Sequence, residues 1–422
     1  MTAWIEEFAR AVEIGTAHLN SVPGREEAVE RILAFLAKVN NPTVENDEAI
    51  CRLLGACRVF MRDRRGIDKL LSAESLDSFL LLAENRSWSS ALREEALKCM
   101  INSVYSRPEF VSQTLIDQGF VARLLSIAKM GDDVALHWLV WKVLLVSCEA
   151  PEYCVRMVKD CYSIVVLIPQ TLFYGFNHGN QAEIAIGARA TLLLDLVKLI
   201  TVLVNEMQWT AEQETLQPDI FRTVHRLGRL LLEILQFKHP SLSPLNDSLI
   251  ELKNKVMEVF MFLPGSLLAA FIQQQHRENA GYIERSLLSP VLDHLHAMLL
   301  VVRVEKTSPL KEMLPTIIVC HNLAKTGGQD ILTCFKDAVL PATEPTDSVT
   351  NAFGRTKILF FKHLKFFLTC LDTDVRRYTS EWLFLLCDEN GKDFSLLNSF
   401  IACMGVSSYA FHFQNLLPVA PR

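Results

Sequence analysis

Arg58 and Arg62 stand four residues apart in CRVFMRDRR (57–65), so on a helix both guanidinium groups would leave one side, a turn apart. Such a pair can clamp an anionic or carbonyl-rich segment of another molecule. The plainer use is a solvated charged face, or an ion pair within the repeat to Asp63 or Asp68. Further along, Glu95, Lys98 and Asn102 fall at i, i+3 and i+7 and form a narrow polar stripe on an otherwise apolar segment. The Asn102 amide can bond the backbone of a ligand lying across it, or the backbone of its own fold. A second basic pair, Arg376 and Arg377, could serve a partner's carboxylates. It follows Asp372 and Asp374 at a helix start, where the aspartates suit the helix dipole and Glu381 lies one turn from Arg377.

No pattern for covalent chemistry accompanies these groups. The chain has no phosphate-cradling Gly-x-x-x-x-Gly-Lys-[Ser/Thr], no dinucleotide fingerprint, no Gly-x-Ser-x-Gly elbow and no His-Glu-x-x-His. His294 and His296 point about 200° apart on a helix and cannot share a metal. The reading is therefore a non-enzymatic protein with no cofactor and no metal. A net charge of −6, with no block of like charges, argues against nucleic acid as a partner. The first segment, MTAWIEEFARAVEIG, is amphipathic with Glu6, Glu7 and Glu13, unlike a secretory signal. Asp195 and Lys198, and then Glu258 and Pro264, interrupt the most apolar stretches, so no transmembrane segment is expected. The eleven cysteines include no Cys-x-x-Cys pair and sit mostly in apolar helical runs, as reduced core residues would. A cytoplasmic protein is the expectation.

Positioning those polar groups requires long helices. Half of the residues are hydrophobic and 21% charged, which folds. Glycine and proline, 17 and 16 of 422 residues, fall below their usual combined share of about 12%, which disfavours turn-dense β architectures. Residues 108–125 and 151–168 align without gaps at an offset of 43, pairing Pro108 with Pro151, Glu109 with Glu152, Phe110 with Tyr153, Asp117 with Asp160 and Leu124 with Leu167. One step back, Ile67, Glu74 and Leu81 keep the phase in a weaker copy. That period belongs to armadillo and HEAT units, whose helices bury their apolar faces only against the next unit. The fold class is thus all-α, an armadillo/HEAT-type α-solenoid superhelix with a concave groove. Within 91–105, the Leu92, Ala96, Met100, Val104 row and the Leu97, Ile101, Tyr105 row are both apolar, as an inner helix buried on two sides requires. The stretch 343–356 reads as a long loop, no flexible linker divides the chain into independent domains, and 1–393 is taken as the solenoid with 394–422 a divergent C-terminal segment.

LDTDVRRYTSEWLFLLCDEN (371–390) closely resembles the helix pair near the end of the armadillo core in the synembryn family, the "resistance to inhibitors of cholinesterase" proteins. CRVFMRDRR (57–65) is similar to that family's Arg-rich groove helix, ALKCMINSV (96–104) to its Leu-Lys-Cys-x-x-Asn helix, and 310–341 to its penultimate repeat. The resemblance implies a guanine-nucleotide exchange factor and folding chaperone for G-protein alpha subunits, which takes the subunit's C-terminal helix in the groove and holds the nucleotide-free state. Arg58, Arg62 and Asn102 then match groove residues. With Lys98, Arg376 and Arg377 they make up the expected partner-binding set.

Two departures from the family pattern stand out. Asparagines of its middle repeats are replaced by apolar residues in KLITVLV (198–204) and VFMFLPG (259–265). After Asp393 the family's Gly-Tyr-Gly-Asn-Ala-Ala-Gly stretch and long acidic tail are missing. Capture of alpha subunits with weakened GDP release is the resulting expectation, and a solenoid scaffold without exchange activity is its rival. A monomer is expected, with peripheral recruitment to the cell cortex left open.

Overall fold

A computed structural model describes residues 2–39, 43–129, 133–148, 183–205, 218–237, 247–278, 288–305, 309–340, 364 and 366–392. The repeat copy at 151–168, the stretch 343–356 and the segment 394–422 lie outside the described residues. Every described element is a helix. The chain divides into two compact units, Met1–Leu267 and Leu268–Arg422.

The first unit opens with α1 (Thr2–Ile14), α2 (Val22–Leu36) and α3 (Val44–Phe60). A short 3-10 turn, Asp68–Leu71, leads to α4 (Ala73–Glu84) and α5 (Ser90–Ser106). Then come α6 (Pro108–Asp117), α7 (Phe120–Lys129), α8 (Val134–Ser147), α9 (Glu183–Asn205), α10 (Pro218–Gln236) and α11 (Asp247–Phe262). Helix α3 packs on α5, α5 on α8, α8 on α9 and α9 on α11, so five helices form one row. Helix α4 packs on α5 and α7, and α7 on α8, giving a second layer behind that row. This layered stacking is that of an α-solenoid.

The 43-residue period reappears as hydrogen bonds between successive helices of the row. Asp47, in the first turn of α3, accepts from the Ser89 amide at 2.8 Å and the Ser89 hydroxyl at 2.5 Å, while Ser89 caps α5. One repeat later Ser90 donates to Asp133, the residue that caps α8. Near the middle of α5, Cys99 Sγ donates to the Leu54 carbonyl of α3, and one turn on, Asn102 Nδ2 donates to the Arg58 carbonyl. These four links span 42, 43, 45 and 44 residues, so α5 is locked in register with α3 and α8 with α5.

Packing supplies the energy for that register. On α5, Leu92, Ala96, Leu97, Cys99, Met100 and Val104 are buried. Each large apolar side chain contributes roughly 1.5–3 kcal/mol on burial, against a few tenths for a helix-surface ion pair. The second apolar row leaves the core toward the helix end: Leu97 is buried, Ile101 half-buried and Tyr105 43% exposed. The eight described cysteines are free thiols, and Cys57, Cys99, Cys148, Cys320 and Cys387 are buried.

α12 (Gly265–Glu278) begins at the boundary, and the second unit goes on with α13 (Ser289–Glu305), α14 (Pro309–Thr326), α15 (Gln329–Val339) and α16 (Thr373–Leu386). Helix α14 packs against α13, α15 and α16. Phe335 and Trp382 meet edge to face at 5.4 Å, and Met313, Ile317 and Leu323 of α14 and Leu383 of α16 are buried. Gly327 ends α14 where a Cβ would lie 2.5 Å from the Leu323 carbonyl, an approach only glycine permits. No described helix is long and apolar enough to cross a membrane.

Candidate partner-docking surface

Helix α3 starts because Thr43 accepts from the Asn46 amide, with Glu45 and Asp47 in its first turn, and it ends at Phe60. Arg58 lies in its last turn; Arg62 lies in the turn beyond, where its amide bonds the Val59 carbonyl. Arg58 thus stands on the helix and Arg62 in the turn that follows it. Beyond Arg62 the chain reaches Gly66 at φ +65.

Arg58, 35% exposed, donates through Nε to Glu95 Oε2 of α5 at 3.0 Å. Lys98 Nζ bonds Glu95 Oε1 at 3.0 Å and Glu94 Oε2 at 3.2 Å. Glu95, only 16% exposed, is thus held between two cations. Burial draws the Lys98 ammonium down, but the Glu95 and Glu94 bonds outweigh it and hold the group above its ordinary value. Asn102 donates to the Arg58 carbonyl at 2.8 Å, so its amide NH2 serves the solenoid's own backbone. The acids foreseen beside the arginines are used elsewhere. Asp63 binds Arg65 and the buried Arg25, and Asp68 lies 3.0 Å from Arg107. Arg62 is exposed, with no ion pair or side-chain hydrogen bond among the described residues.

Beside this cluster a cleft of about 440 Å³ opens between α3 and α5, lined among others by Asp47, Cys51, Gly55, Arg58 and Glu95. Burial, then the charges of Glu95 and Asp47, push the Cys51 thiol up, so it stays protonated. At the other end of the helix pair, Arg64 Nη2 donates to the Tyr105 carbonyl at 2.9 Å. Val59, at the end of α3, is 37% exposed, and Tyr105, at the end of α5, 43%. The structure therefore brings Arg58 and Lys98 together on Glu95 and Asn102 onto the Arg58 carbonyl, while Arg62 stands exposed in the turn beyond α3.

The polar seam continues along the row. Trp138 Nε1 of α8 donates to Asp195 Oδ2 of α9 at 2.7 Å, with Lys142 and Lys198 at 3.6 and 3.9 Å from the same carboxylate. Lys198 also lies 3.6 Å from Glu251 of α11. In the sequence, Asp195 and Lys198 stand out only as breaks in an apolar run. The available signal was helical spacing, Trp138 to Lys142 and Asp195 to Lys198, on otherwise apolar helices. Leu199, Ile200, Leu203, Val204, Val259, Phe260 and Leu263 of the two apolar stretches are buried in the core.

Arg376 and Arg377 belong to the second unit. Asp372 caps α16 through the Asp374 and Val375 amides. Arg376 Nη1 reaches the Cys370 carbonyl at 3.4 Å, and Arg377 lies 3.4 Å from Asp374 and 4.7 Å above the Tyr378 ring. Glu381, one turn from Arg377, lies instead 3.7 Å from His321 of α14. Both arginines thus have intramolecular contacts already.

Solved structures of SYS-1, with POP-1 and alone, share 11% and 10% identity with the chain, covering 86% of it at TM-scores of 0.47 and 0.46. A crystal structure of Uso1-2 shares 13%, covering 94% at a TM-score of 0.46. The chain spans 63% of the length of the two SYS-1 chains and 62% of the Uso1-2 chain. No curated protein matches it. The family model of the guanine nucleotide exchange factor synembryn matches residues 53–396, a span that holds every side chain of the partner-binding set: the chain belongs to the synembryn family of guanine nucleotide exchange factors.

Proposed function

We propose that this chain binds G-protein alpha subunits, promotes GDP release and chaperones their nucleotide-free state, docking the subunit's C-terminal helix on the α3–α5 surface. The family match over 53–396 is the observation that carries the reading. A helix C-terminus presents unpaired carbonyls and partial negative charge, and a chain terminus adds a carboxylate. Arg62, exposed in the turn just past α3, is a guanidinium that suits such an end. Arg58 and Lys98, both paired with Glu95, are further cations of the α3–α5 pair.

Exchange on this account needs no catalytic group. If the chain binds the nucleotide-free subunit more tightly than the GDP-bound one, GDP affinity falls by the same factor through linkage. A thousandfold acceleration of release asks for about 4 kcal/mol at 1.36 kcal/mol per tenfold. The test is capture of a GDP-loaded alpha subunit by the wild type, Arg58→Glu and Arg62→Glu. Capture lost in both variants supports the reading; equal capture by all three refutes the docking site. A scaffold without exchange activity is the second reading, favoured by the apolar replacements in 198–204 and 259–265. Capture without faster GDP release would select it.

A further inference from the structure

We infer that Arg25, in the N-terminal layer ahead of the family-matched span, is the positioning residue for the docking segment 58–66, setting where Arg62 stands. The inference rests on the docking reading above and deepens it. Arg25 is 4% exposed, and its guanidinium serves four backbone carbonyls. Nε donates to Arg65 O at 2.6 Å, and Nη2 to Phe60 O at 2.8 Å and Asp63 O at 2.6 Å. Nη1 donates to Leu19 O at 3.3 Å. Three of those carbonyls bracket Arg62, so one planar fork fixes the backbone on both sides of it.

Independent contacts seat the same turn. The Arg25 guanidinium lies 3.9 Å above the Phe60 ring, and Phe8 of α1 meets that ring edge-on at 5.6 Å. A Cβ on Gly66 would come within 3.1 Å of both Arg25 Cβ and the Val22 carbonyl, so the turn rests directly on α2. Asp63, paired with Arg65, turns its carboxylate toward Arg25 at 3.8 Å. Arg62 itself takes no part in this clamp; its guanidinium is left outside while its backbone is immobilised. An exposed side chain on a fixed backbone loses less entropy on binding than one on a mobile loop. The match begins at residue 53, inside α3, so α1, α2 and Arg25 lie outside it.

The test compares capture of a GDP-loaded alpha subunit by wild type, Arg25→Met, Arg62→Glu and the double variant. A core control, Phe79→Leu on α4, reports the effect of general destabilisation. The expected result is a capture constant about tenfold weaker for Arg25→Met, ~1.4 kcal/mol, and a double variant no weaker than Arg62→Glu alone. Arg25→Lys, which keeps the charge but not the fork, should recover only part of the loss and serves if Arg25→Met does not fold. Additive losses, or an equal loss in Phe79→Leu, would overturn the inference while leaving the docking site intact. If the wild type captures nothing, the docking reading fails. Amide exchange at 61–66 in the free protein then judges the positioning alone: faster in Arg25→Met upholds it, unchanged overturns it.

Discussion

Glu95→Ala removes the one carboxylate that holds both Arg58 and Lys98, and its consequences for stability and for binding run in opposite directions. The carboxylate makes one charged hydrogen bond to each cation at 3.0 Å. Charged hydrogen bonds contribute about 1.5–3 kcal/mol when desolvated, but exposed ion pairs contribute under about 1. Arg58 and Lys98 are 35% and 31% exposed and Glu95 16%, so each contact lies between those limits. After a gain of a few tenths of a kcal/mol from the better helix propensity of alanine, a net loss of about 1–2 kcal/mol follows. Native-state hydrogen exchange reads it locally: protection of α3 and α5 should fall roughly 5- to 30-fold. The freed cations would meanwhile strengthen capture of an anionic helix end. Unchanged protection in both helices would refute the assignment of Glu95 as their shared anchor.

Asp195→Ala should cost more, about 2–3 kcal/mol in thermal or urea unfolding, because it leaves Trp138 Nε1 without its acceptor beside two lysines around a site 8% exposed. Gly66→Ala should destabilise by about 1–2 kcal/mol, since φ is +65 and the added Cβ meets backbone and side chain at 3.1 Å; Gly66→Asn, tolerant of that φ, should lose less. His321 supplies a pH dependence. Burial lowers its pKa, and neither Asn322 nor the Glu381 carboxylate at 3.7 Å fully offsets that, while Lys325 adds to the lowering. Its folded value lies below the unfolded one near 6.5, so the unfolded state takes up the proton first. Stability is full above that value and falls as pH drops through it; His321→Gln should flatten this part of the profile in denaturation midpoints measured from pH 8 to 5.

The repeat was legible because its cause is physical: units of one length stack in one register, and residues 42 to 45 apart become hydrogen-bond partners. The apolar rows of α5 were legible for the same reason, up to Tyr105, where the helix runs past the core. The placement of Arg62 was not. Arg62 stands in the turn after α3, which ends at Phe60, and the Phe60 carbonyl takes a bond from Arg25, a residue no local pattern connects to it. Nor could spacing choose Glu95 over Asp63 or Asp68 as the partner of Arg58, because the nearer acids in sequence are taken by Arg65, Arg25 and Arg107. Both uses of Asn102 were open in the sequence, and the distance of 2.8 Å to the Arg58 carbonyl assigns its NH2 to the fold. The family resemblance, by contrast, rested on contiguous segments and was recovered across 53–396.

The rate of GDP release from a purified alpha subunit, followed as the full chain is titrated in, bears most directly on the account. The proposed function predicts a rate that rises with chain concentration to a plateau at least about tenfold above the intrinsic one, and a return to the intrinsic rate with Arg62→Glu. An intrinsic rate at every concentration, across a panel of alpha subunits, would contradict it.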